Sequence, residues 1–127
     1  MVVLEQVQKV RESLKWRRHE VQSEEHWCRL VEGYMDGLDD VLVGDNRRRV
    51  RADRMRVRRE YERLQRQYEE LYSMGEEFVD SVDDVGLQEM LRLRYLEGLS
   101  AQKVAEHVGC EVQNVYQRIA RVKNHHA

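Results

Sequence analysis

LQEMLRLRYLEGLSAQKVAEHVGCEVQNVYQRIARV, residues 87–122, decides the fold. The stretch contains a helix stop, a short capped helix, a glycine turn and a final amphipathic helix. Gly98 sits where a helix ends most cheaply in a left-handed residue, and the Ser100 hydroxyl is placed to cap the next helix. Across Ala101 to Val108, Val104, Ala105 and Val108 share one side, and Gln102, Lys103, Glu106 and His107 share the other. Gly109 supplies the second turn. Val112, Val115, Ile119 and Val122 then recur at helical spacing, which leaves Glu111, Gln113, Asn114, Gln117, Arg118 and Arg121 outward. A tight Gly-Leu-Ser joint, a short middle helix and an outward face of amides and arginines fit a DNA-binding helix-turn-helix better than an ordinary solvated helical hairpin.

Working outward from this stretch, 127 residues leave room for one domain and an extension, and the complete absence of proline permits long uninterrupted helices. From Val2 to about Glu32, Val3, Val7, Val10, Leu14, Val21 and Cys28 keep near-heptad spacing, and Trp16, Trp27, Leu30 and Val31 are expected to broaden the stripe. Gly33, Gly37 and Gly44, mixed with Asp36, Asp39, Asp40, Asp45 and Asn46, predict a connection, with room for a helical turn at Leu38 to Val43. A second long helix follows from about Arg47 to Asp80. Val50, Val57, Leu64, Leu71 and Phe78 lie seven apart in it, with Tyr61 and Tyr68 between them and Arg54 and Gly75 as flaws in the stripe. An antiparallel hairpin would bury both stripes, and a homodimer is expected to cover the remainder, although the sequence leaves monomer and dimer open. DSVDD, residues 80–84, marks the expected boundary. The helix near Val85 to Glu97 is apolar on two sides and needs cover on both. The expected fold class is therefore all-α: a long, coiled-coil-like helical hairpin over residues 1–83, for dimerisation or partner binding, then a helix-turn-helix over residues 84–127.

LRLRYLEGLSAQKVAEHVG followed by VQNVYQRIARV resembles region 4 of bacterial sigma factors, and more closely the small phage and prophage regulators that carry a sigma region 4-like domain, including ArpU-type late-gene regulators. The resemblance implies that the last helix enters the major groove of double-stranded DNA. It would put Glu111, Gln113, Asn114, Gln117 and Arg118 at base edges, Gln117 and Arg118 foremost, and leave Arg121 and Lys123 for phosphates. Cys110 stands where a Ser or Thr usually caps the recognition helix, and Lys103 stands where an acid often follows the preceding cap.

Charge is less helpful to that reading. Formal net charge is -2, and from Asp84 onward six Lys and Arg face five Asp and Glu. The positive density lies in residues 47–66, with ten arginines and three acids. Arg47, Arg48, Arg49 and Arg51 are candidate contacts to phosphate or to a partner such as host RNA polymerase. The same run would also serve as a solvated face answering Glu24, Glu25, Asp36, Asp39 and Asp40 across the hairpin.

Other function classes find little support. Cys28 and Cys110 make no disulfide framework, no apolar run is long enough for a membrane span, and the N-terminal segment is too polar for a signal peptide, so the cytoplasm is the expected compartment. There is no phosphate-cradling glycine loop and no nucleophile signature, so no enzyme and no cofactor is expected. The spacings of His26 and Cys28, and of His107, Cys110, His125 and His126, are poor for zinc, so no metal is expected; Cys28 should fill a core position and the last histidines a frayed tail. The function expected is a phage or prophage transcriptional regulator reading promoter DNA. Its rival is an adapter that docks on RNA polymerase or a sigma factor without specific DNA binding. A weaker third reading is the DNA-recognition subunit of a packaging machine.

Overall fold

A computed structural model describes the backbone of residues 1–35 and 40–126, and the side chains of residues 1–30 and 48–124. Every element among them is helical: α1 (Val2–Met35), α2 (Asp40–Asp80), α3 (Val85–Leu91), a π-helical turn (Arg92–Leu96), α4 (Ala101–Val108) and α5 (Val112–His126). No helix among the described residues is long and apolar enough to cross a membrane.

Both long helices extend further into the glycine- and aspartate-rich stretch than its composition predicts. Helix α1 continues to Met35 and α2 begins at Asp40, so Gly33 and Gly44 are helical. Each glycine costs a helix about 1 kcal/mol relative to alanine, which long cooperative helices without proline can carry. Gly37 and the Leu38–Asp39 part of the expected helical turn lie outside the described residues.

Contacts group Met1–Arg11 with Gln67–Ala127, and Glu12–Arg66 by themselves. The first turns of α1 and the end of α2 share a core with the C-terminal helices. Within Glu12–Arg66 the helices run antiparallel: the buried Cys28 lies against the Val50 carbonyl, Arg18 donates to Tyr61, and Arg58 pairs with Glu25. Val57 is buried in the seam, as its heptad position requires. Trp16, Trp27 and Leu30 do not join it. They are 71%, 58% and 55% exposed, because a stripe pairing with a single helix has room only for the narrow a/d positions.

In the other group, Leu4, Val7, Val79, Leu91, Val104 and Val115 are fully enclosed and form one core with Met90, Tyr95, Leu96 and Ile119. Gly75, a flaw in the heptad by sequence, is the place where α2 admits Leu96 and Leu4. A Cβ there would stand 3.0 Å and 3.1 Å from their Cδ2 atoms. The segment expected as one helix from Val85 to Glu97 changes pitch after Leu91. Glu97 N–H donates to the Arg92 carbonyl at 2.9 Å and Leu99 N–H to the Leu93 carbonyl at 3.0 Å, and the wider turn lets Met90, Leu91, Leu93, Tyr95 and Leu96 all be buried.

A widened helix end leaves carbonyls without helical partners, and α1 supplies them. Arg11 Nη2 donates to the Tyr95 carbonyl at 2.8 Å and also to that of Leu96, while Gln8 Nε2 donates to the Arg94 carbonyl at 3.2 Å. The Arg11 guanidinium also lies over the Tyr68 ring, 5.9 Å from its centroid. The first three turns of α1 thus cap the helix that leads into the helix-turn-helix.

Candidate nucleic-acid interface

Both turns of the helix-turn-helix are built as the glycines require. Gly98 (φ 78°) and Gly109 (φ 76°) are left-handed, and no other described residue has positive φ. Ser100 is the N-cap of α4, its hydroxyl accepting from Lys103 N–H at 3.3 Å. At the far end of α4, the Ala105 carbonyl accepts from both Gly109 N–H at 2.9 Å and Cys110 N–H at 3.0 Å. The second bond closes a Schellman-type turn, which places an apolar residue after the glycine against the helix it has just left. Cys110 fills that place, half-buried against the core. The expectation that Cys110 occupies the cap position of the last helix is therefore corrected. Helix α5 begins at Val112, and Glu111 precedes it as the cap residue, its carbonyl accepting from Asn114 and Val115 N–H.

Helix α5 packs through Val115, Ile119 and Val122, all buried. At about 100° per residue, Gln113, Gln117, Ala120, Arg121 and Asn124 fall on the opposite side. All five are exposed. Val112, expected inward, is 38% exposed, because three core positions already fill the contact with α4 and its first-turn position faces the flank.

The other expected contact residues divide between the two flanks. Asn114 and Glu111 are exposed on the side that carries Arg118. Arg118 itself is half-buried, and its Nη2 donates to Asp84 Oδ2 at 2.6 Å. Asp84 is also the N-cap of α3, its Oδ1 accepting from Leu87 N–H at 3.2 Å. That N–H first, and then the Arg118 guanidinium, hold the Asp84 carboxyl below the usual carboxylate range. One carboxylate therefore caps α3 and orients the arginine of α5. On the opposite flank Lys123 reaches Glu5 Oε1 at 3.4 Å and shares the hollow with Tyr95, whose ionisation burial pushes upward. Lys123 thus shares its charge with α1 instead of standing open with Arg121.

Sequence reasoning passed over Tyr116 and Asn124. Tyr116 is 58% exposed and, with Arg94 and Lys123, borders a hollow of about 350 Å³ beside the start of α4. A helical wheel centred on Val115, Ile119 and Val122 alone, without Val112, brings both residues to the surface. Of the arginines expected to touch phosphate or a partner, Arg48, Arg49 and Arg51 are exposed on α2, and the side chain of Arg47 lies outside the described residues. The acidic patch expected to answer them contributes Glu25, paired with Arg58, while Asp36 and Asp39 lie outside the described residues.

Residues 86–125 match the family model "Sigma-70, region 4". No curated protein and no solved structure gives a significant match to the chain. The match begins one residue into α3 and runs into the end of α5, so it takes in both left-handed glycines, the Ser100 cap and the whole exposed amide face. The C-terminal third of this chain is a sigma region 4-like helix-turn-helix, a DNA-binding type of domain used in the regulation of transcription.

Proposed function

We propose that the chain is a non-catalytic transcriptional regulator of a phage or prophage, in which α5 reads promoter DNA from the major groove. The observation that carries this reading is the open face of α5. Gln113, Gln117 and Arg121 are exposed, while the same helix is fixed from behind by buried Val115, Ile119 and Val122. Amides pair bidentately with adenine and guanidinium with guanine, so a rigid helix presenting both is suited to base edges. Glu111 and Asn114 flank that face. Arg118, oriented by Asp84, offers a guanidinium already held in one geometry, which reduces the ordering that binding would require. Arg94, at the hollow beside the start of α4, brings positive charge to the other edge, where a backbone phosphate would fix the register of the helix on the duplex.

The near balance of charge from Asp84 onward, six Lys and Arg against five Asp and Glu, favours the adapter reading as the rival. A gel shift on promoter fragments at moderate salt, run beside a pull-down with host RNA polymerase, separates the two. The regulator predicts sequence-selective retardation that Gln117→Ala abolishes while helical content is retained. Capture of polymerase without any selective retardation would overturn it in favour of the adapter.

A further inference from the structure

The middle of α2 carries a charge that the reading of α5 does not use. Between Arg48 and Arg66 there are nine arginines and only Asp53, Glu60 and Glu62 as acids. Asp53 already faces Arg56 at 3.8 Å, and Glu60 faces Arg17 of α1 at 3.0 Å. Arg51, Arg59, Arg63 and Arg66 are all exposed and, among the described residues, have no acidic side chain within 4.0 Å. They stand on the side of α2 opposite the Val50, Val57 and Leu64 seam, and at 1.5 Å per residue they span about 22 Å.

We infer that this arginine face of α2 is a second, sequence-independent contact to double-stranded DNA, one that grips the phosphate backbone. The inference rests on the proposal that α5 reads DNA, and it supplies what α5 lacks. Duplex DNA presents about one negative charge per 1.7 Å of its axis, roughly 13 over 22 Å, so a rod of four open guanidinium groups of that length finds phosphates for each of them. A protein partner fits less well. Protein interfaces anchor on buried aromatic and aliphatic side chains, whereas this face offers Met55 as its one large apolar group, 53% exposed, among fork-shaped cationic donors.

The test is the salt dependence of duplex binding by the full chain, compared with the variant in which Arg51, Arg59, Arg63 and Arg66 are all replaced by Gln. Each lost phosphate contact lowers the slope of log K against log salt by about 0.9, so the slope should fall by about 2–4 and affinity by roughly 10- to 100-fold at low salt. Selected and random duplexes should lose affinity by the same factor. Replacing the same four residues by Lys should restore the slope. An unchanged slope in a variant of unchanged helical content overturns the inference. So does loss of RNA polymerase binding with DNA binding intact, which would make this face a protein contact. Gln117→Ala marks the other failure: if it leaves the ratio of selected to random binding at its original value while the Gln variant lowers both, the reading of α5 fails and the arginine face stands.

Discussion

Gly98→Ala and Gly109→Ala form a matched pair that tests how the start of α1 holds the helix-turn-helix. The two glycines share the same backbone conformation, at φ 78° and φ 76°. An L residue in that region costs about 1–2 kcal/mol. Their surroundings differ. A Cβ at Gly109 meets nothing within 4 Å, whereas at Gly98 it would stand 2.7 Å from Arg11 Nη1. Arg11 is flexible and would give way, but only by leaving the Tyr95 and Leu96 carbonyls. Hydrogen bonds from a charged donor contribute about 1.5–3 kcal/mol, and partial loss adds to the backbone cost. Gly109→Ala should therefore destabilise by about 1–2 kcal/mol, and Gly98→Ala by about 3 kcal/mol. Urea denaturation followed by circular dichroism measures both. In an Arg11→Met background, which keeps the side chain's stem and removes its donors, the two alanine substitutions should cost the same. Equal costs in the wild-type background, or an excess at Gly98 that survives Arg11→Met, would refute the claim that Arg11 caps this helix end.

Asp84→Asn keeps a capping side chain but loses the negative charge opposite Arg118, whereas Asp84→Ala loses both; Asn should retain most of the stability that Ala loses, about 1 kcal/mol, while both variants bind duplex more weakly than wild type in fluorescence anisotropy. The pH dependence follows from the depressed carboxyls of Asp84 and Glu25. Their folded-state values lie below the unfolded ones, so their stabilisation is complete above the ordinary carboxylate range of about 4 and is lost as pH falls through the folded values. Denaturation midpoints between pH 6 and pH 2 should therefore show a shallower acid limb for Asp84→Asn. Cys110→Ser should destabilise by about 1 kcal/mol, since it puts a hydroxyl against the core, and Glu111→Ser should stabilise by about 0.5–1 kcal/mol; the reverse order in thermal melts would return the cap to position 110.

Local chemistry made the helix-turn-helix legible. Gly98, Ser100 and Gly109 each act within a few residues of themselves, so their spacing is enough to place two turns and a cap. The same holds for the Asp80–Asp84 break. What escaped depends on partners distant in sequence. Gly75 reads as a flaw until Leu4 and Leu96 are seen to meet there, and nothing in the sequence marks Arg11 until it is found on the Tyr95 and Leu96 carbonyls. The widened turn at Arg92–Leu96 has no propensity signal of its own. It arises because five of seven successive residues are apolar and all become buried. At the site, the alternation along α5 correctly separates Gln113 and Gln117 from Val115 and Ile119. It could not show that Arg118 is held by Asp84 from another helix, or that Lys123 turns toward Glu5. Glycine density misled in the other direction, because Gly33 and Gly44 follow their long helices against their own preference.

The central claim is that one face of α5 meets the edges of DNA bases. It is tested most directly by backbone amide shifts of the full chain on titration with a duplex enriched by that chain from a random pool. The account predicts an enriched sequence, with the largest shifts at Gln113, Asn114, Gln117 and Arg121 and their loss of selectivity in Gln117→Ala. No enrichment, or shifts that spare α5, would contradict it.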